Sequence, residues 1–99
     1  MKIDSKKIRL TKHLEKLFEE KKGQISGLNI YEIHRMFKEL FWIGEAENEP
    51  FNKRLQKVIV DKKSKKQAHI FYEWQKVSSQ SDDDYNNRIL KVRSFKKVR

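Results

Sequence analysis

Ninety-nine residues with 24 Lys+Arg against 14 Asp+Glu, a net charge of +10, make one small basic domain and exclude a multidomain enzyme. The absence of cysteine removes disulfides, thiolate metal sites and Cys nucleophiles together, and favours an intracellular setting, cytoplasm or nucleoid. Leu, Ile, Val and Phe total 27 residues, enough for a core, yet no apolar run approaches the roughly 20 residues that span a bilayer and Met1-Lys2-Ile3-Asp4 starts no signal peptide.

Residues 1–6 are expected to be flexible. Residues 11–22 read as a helix, because Leu10, Leu14, Leu17 and Phe18 recur on one face. Thr11 fits its N-cap, although a start as early as Ser5 is compatible. Lys21, Lys22 and Gly23 suit its C-terminal end. The preceding Lys7-Ile8-Arg9-Leu10 is equally compatible with a short strand. A second helix, 29–42, has the clearest start in the chain. Asn29 can cap it, Glu32 can reach back to the Asn29 amide, and Leu28 with Ile33 forms a hydrophobic staple. Ile33, Met36, Phe37, Leu40 and Phe41 supply its apolar stripe, and Gly44 is expected to end it before a polar loop, 44–49.

Pro50 fits the first position of a third helix, 50–61. There Phe51, Leu55, Val58 and Ile59 gather on one side, with Lys53, Arg54 and Lys57 on the other. After a basic turn containing Lys62, Lys63, Lys65 and Lys66 the period changes to two. Ile70, Tyr72 and Trp74 alternate with Phe71, Glu73 and Gln75. Leu90 and Val92 alternate with Lys91 and Arg93, and Lys97 follows on the same basic side. The intervening residues 78–87, with Asp82, Asp83 and Asp84, read as a mobile loop tip. Strands 69–77 and 88–98 therefore form an antiparallel hairpin, and the fold class is α+β: three helices followed by a C-terminal β-hairpin.

Charge is distributed in blocks. Residues 53–66 carry seven bases and one acid, and residues 88–99 carry six bases and no acid. A lysine-rich solvated surface would have the same composition, but blocks of one sign on elements with apolar faces point to an anionic partner.

The helix start at Leu28-Asn29-Ile30-Tyr31-Glu32-Ile33, the basic face of residues 50–61 and the paired strands 69–77 and 88–98 together resemble the winged helix-turn-helix family of DNA-binding domains. The likeness lies in the order of elements. It implies that helix 50–61 enters the major groove with Lys53, Arg54 and Lys57 toward bases and phosphates, flanked by Asn52 and Gln56. It also implies that the hairpin lies along the backbone with Lys91, Arg93 and Lys97 outward. Dimers are common in that family, and helix 11–22 is the segment that would supply a homodimer seam. The connection 42–49 departs from the family in being longer and more acidic than its usual turn.

Other groups carry weaker signals. Aromatic residues along 70–74 suit stacking of single-stranded bases on an open sheet, but a sheet of two strands is too small, so they are assigned to the core. His13, His34 and His69 lack metal-ligand spacing, and Asp82 to Asp84 lack the glycine turn of a calcium loop. No nucleophile elbow or phosphate-cradling glycine loop is present. The expected function is thus nucleic-acid binding without enzymatic activity, metal, cofactor, membrane or small-molecule substrate. Duplex DNA is the favoured partner, in a regulatory or DNA-organising role. About five phosphate contacts would give a log K against log salt slope of roughly −4 to −5. The rivals are RNA binding and a small phage or viral type of protein-interaction or inhibitor module. That module would use the acidic loop or exposed apolar residues such as Trp42 and Phe95.

Overall fold

A computed structural model describes residues 7–20, 24–76 and 88–98. The elements are β1 (Ile8–Leu10), α1 (Lys12–Glu20), β2 (Gln24–Ile25), β3 (Leu28–Asn29), α2 (Ile30–Ala46), β4 (Leu55–Val60), β5 (Gln67–Lys76) and β6 (Arg88–Lys97). The sheet order is β1-β6-β5-β4. Strands β4, β5 and β6 are antiparallel neighbours, and β1 joins β6 in parallel, Ile8 opposite Leu90 and Leu10 opposite Val92. Among the described residues the fold is therefore α+β, but with two helices, a mixed four-stranded sheet and a two-stranded β2–β3 sheet in place of three helices and a terminal hairpin.

The main correction concerns residues 50–61, where the expected third helix is a loop followed by β4. Residues 55–60, Leu-Gln-Lys-Val-Ile-Val, do not alternate apolar with polar, which is why they read as a helix, but Val58, Ile59 and Val60 are β-branched residues that suit a strand. Pairing decides it. Leu55, Lys57 and Ile59 face the same side as Tyr72, Ile70 and Ala68 opposite them, all three of which are fully buried. Asn52 takes a left-handed φ of 58° and its amide donates to the Trp74 carbonyl at 2.8 Å, so the chain turns into the sheet there.

Local signals hold at α2. The Asn29 side chain accepts from the Glu32 amide at 2.9 Å, and the Glu32 carboxylate accepts from the Asn29 amide at 3.0 Å. Ahead of the helix, Ser26 and Gly27 both have positive φ (54° and 74°), as a tight two-residue β-hairpin turn between β2 and β3 requires. Gly44, expected to terminate α2, lies inside it. The helix continues to Ala46, and Asn48 supplies the left-handed residue beyond it at φ 59°. Gly44 is required by packing, since a Cβ there would stand 2.4 Å from Trp74 Cζ2 and 2.6 Å from Glu49 Oε1. Gly44→Ala should accordingly cost about 2 kcal/mol despite better helix propensity, measured as a lower urea midpoint with an unchanged m-value.

Both helices pack on one side of the sheet. Phe18 of α1 and Phe37 of α2 meet Phe95 of β6, and Phe41 of α2 meets Trp74 of β5. The core on that side holds Ile70, Tyr72, Trp74, Leu90 and Val92, all fully buried. Among the described residues no helix covers the opposite face, which carries Gln56, Val58 and Val60 on β4 and His69, Phe71 and Glu73 on β5. On that face β6 contributes Lys91, Ser94 and Lys96, and β1 contributes Arg9. No described helix is long and apolar enough to cross a membrane.

Candidate nucleic-acid interface

The open face is organised around Phe71. Its ring is stacked on that of His69, with centroids 4.5 Å apart and planes 31° apart, so the two make one partly exposed aromatic stack on β5. Register slips between Phe71 and Tyr72, because β6 inserts one extra residue, Arg93, between Val92 and Ser94. This bulge directs Arg93 onto the same side as Phe71. Arg54, at the entry to β4, reaches it from the opposite flank. Arg54, Gln56, Phe71, Arg93 and Ser94 thus border a depression of about 290 Å³. That is at the small end of the roughly 300–1,000 Å³ of enclosed small-molecule sites, and fits a surface groove better than a substrate cavity. Lys91 stands in register between Arg9 and Glu73, and Arg93 forms an ion pair with the Glu73 carboxylate.

The ten basic residues singled out from the sequence divide into three groups. Arg54, Lys91 and Arg93 lie on or beside the open face. Lys53 is exposed in the connection before β4, and Lys62, Lys63 and Lys65 are exposed in the turn between β4 and β5. Lys57, Lys66 and Lys97 belong to the helix side. Lys57 pairs with Glu47 and lies 3.7 Å from Glu49; Lys66 contacts Glu32 at 3.1 Å and the Gly27 carbonyl at 3.4 Å; Lys97 lies against Gly27. The single helical face of Lys53, Arg54 and Lys57 does not exist, since strand alternation sends Arg54 and Lys57 to opposite sides of β4.

Buried acids explain where the turn's charge goes. Asp61, 2% exposed, takes two bonds from Arg35 at 2.9 and 2.7 Å and one from Ser64 at 2.8 Å. The guanidinium beside it holds the Asp61 carboxyl far below the usual carboxylate range. Burial alone would push Glu32 up, but the Asn29 amide, Ser64 and Lys66 outweigh it and leave the carboxyl below its ordinary value. The turn is thereby tied to the start of α2, and Lys66 is spent on that tie.

Arg9, Ser94 and Lys96 are not anticipated as site residues, Gln56 is expected only on the flank of a helix, and His69 and Phe71 are assigned elsewhere. Their signal in the sequence is period-two alternation, which sets 69, 71 and 73 opposite the core residues 70, 72 and 74. Of the two residues proposed for a protein partner, Phe95 is core, while Trp42 is 63% exposed on α2. Among the described residues no three His, Asp or Glu side chains converge as a metal site. The Asp82 to Asp84 segment, the loop 78–87, residues 1–6 and the Lys21 to Gly23 helix end lie outside the described residues. Comparison with protein-family models, with curated proteins and with solved structures finds no match for this chain.

Proposed function

We propose that this chain binds single-stranded nucleic acid across the open face of its sheet. The observation that carries the reading is the partly exposed Phe71–His69 stack set between Arg54 and Arg93 on a face that no described helix covers. Every base has an apolar π-face that stacks on such a ring, and every linkage has a phosphate that a flanking Arg or Lys neutralises. Arg9, Lys91 and Lys96 extend the positive charge across β1 and β6 beside the stack. The bases then lie over β5 and β4, where Val58 and Val60 also present apolar surface, and the phosphates track the cations. A duplex buries its π-faces in its own stack. With β4 in place of a recognition helix, residues 50–61 supply no helix for a major groove.

Fluorescence anisotropy with single-stranded DNA, single-stranded RNA and duplex at 50 and 200 mM salt tests this. If about four cations contact phosphates, log K falls with log salt at a slope of roughly −3, about a 60-fold loss over that range. Single strands should bind more tightly than duplex at both salts. No affinity for any strand at 50 mM salt, or tighter binding of duplex, overturns the reading.

A further inference from the structure

Strand β4 lies at one edge of the four-stranded sheet, so one side of its backbone has no described strand beside it. The β4–β5 turn fixes which groups face that way. The Asp61 amide donates to the Lys66 carbonyl at 2.9 Å, which makes 61 and 66 a hydrogen-bonded pair. Such pairs alternate along an antiparallel ladder, so Ile59, Lys57 and Leu55 bond to Ala68, Ile70 and Tyr72. Gln56, Val58 and Val60 therefore aim their N–H and C=O groups outward, away from β5. The Gln67 carbonyl, opposite Val60, agrees with this phase, since it accepts from Val98 just past the end of β6.

Sheet edges are commonly blunted by a bulge, a proline or an outward lysine. β4 has no bulge or proline, and its one lysine, Lys57, is turned to the helix side and paired with Glu47. Val58 and Val60 are 49% and 39% exposed beside the outward groups. Lys53 and Arg54 precede the strand and Lys62, Lys63 and Lys65 follow it, all exposed. Asp61, the only acid in that stretch, is buried against Arg35. We infer that β4 takes an extended acidic segment of a partner protein as a fifth strand. Its backbone bonds to Gln56, Val58 and Val60, and its carboxylates lie toward the cations at both ends. A second copy of this chain does not fit. Two-fold pairing centred on Val58 would set Arg54 opposite Lys62 twice, between molecules that each carry +10. The inference uses the rim of the sheet and does not depend on the single-strand reading.

The probe is a fluorescein-labelled, end-capped peptide, Asp-Glu-Val-Thr-Val-Thr-Val-Glu-Asp, added to the full chain with Kd read by anisotropy. Two further peptides are N-methylated, one on its Val amides and the other on its Thr amides. Only one of these two sets faces β4. That peptide should bind roughly 30-fold or more weakly than the parent, about fivefold for each bond lost, and the other within about threefold. The parent peptide should also slow amide hydrogen exchange at Gln56, Val58 and Val60. Val58→Pro removes an outward donor and no bond to β5, so it should weaken the parent about tenfold with an unchanged thermal midpoint. If that variant folds poorly, the two methylated peptides still decide the matter with the unmodified protein. Absence of binding, equal affinities for the two methylated peptides, or exchange slowed elsewhere than at β4 overturns the inference. Protection of the three amides without peptide, in a chain that sediments as a dimer, gives the edge to a second copy and overturns it as well.

Discussion

Asp61→Ala should destabilise the fold by about 3 kcal/mol at pH 7, a fall in thermal midpoint on the order of 15 °C. The carboxylate is buried, accepts from Arg35 and Ser64, and joins the turn between β4 and β5 to α2. Its removal leaves the turn's bonds unmade and a space beside the guanidinium. Because the folded carboxyl is held below its unfolded value near 4, the stabilisation is fully present above about pH 5. It is lost progressively as pH falls below that toward the folded value. Urea denaturation of both proteins from pH 7 to pH 2 should show a constant gap down to about pH 5 that then narrows. A gap of the same size at pH 5 and pH 2 would mean that packing, not charge, carries the effect.

The parts of this fold legible in the sequence are those whose causes are local. Asn29, Glu32, Leu28 and Ile33 write the start of α2 within six residues, and both reciprocal bonds are present. Residues 50–61 were illegible for the opposite reason. Phe51, Leu55, Val58 and Ile59 gather on a wheel but not on a pleat, where Val58 faces away from the other three, and pairing with Ala68, Ile70 and Tyr72, which the wheel does not include, overrides that pattern. Gly44 read as a stop because glycine often is one; its actual cause is Trp74, thirty residues further on. The β1–β6 pairing joins residues some eighty positions apart, and no local pattern announces a parallel partner. The site followed the same division. Charge blocks marked residues 53–66 and 88–99 as basic, but which bases share a face depends on strand alternation. That alternation moves Arg54 beside Arg93 and carries Lys57 away to Glu47. Phe71 was set aside only because two strands cannot make a platform, and β4 and β1 complete a sheet of four.

Phe71→Ala should weaken binding of single strands by about 2 kcal/mol, roughly 30-fold in Kd, while changing folding stability by less than about 0.5 kcal/mol. The ring is partly exposed on the open face, with His69 beside it and Arg54 and Arg93 at its flanks, so its loss removes a stacking surface and little core. Trp42 is the natural control. Among the described residues it is the most exposed of the large hydrophobics, at 63%, but it projects from α2, so Trp42→Ala should leave Kd unchanged if the sheet face alone binds. The cations separate in the same way. Replacing Arg54 and Arg93 together by Ala should reduce the magnitude of the salt slope by roughly 1.4, two phosphate contacts at about 0.7 each. Replacing Lys57 and Lys66, whose charges answer Glu47 and Glu32 on the helix side, should leave the slope where it was. A reversed pattern would place the ligand on the helix side and the β4–β5 turn. The aromatic stack would then be a surface pair without a ligand.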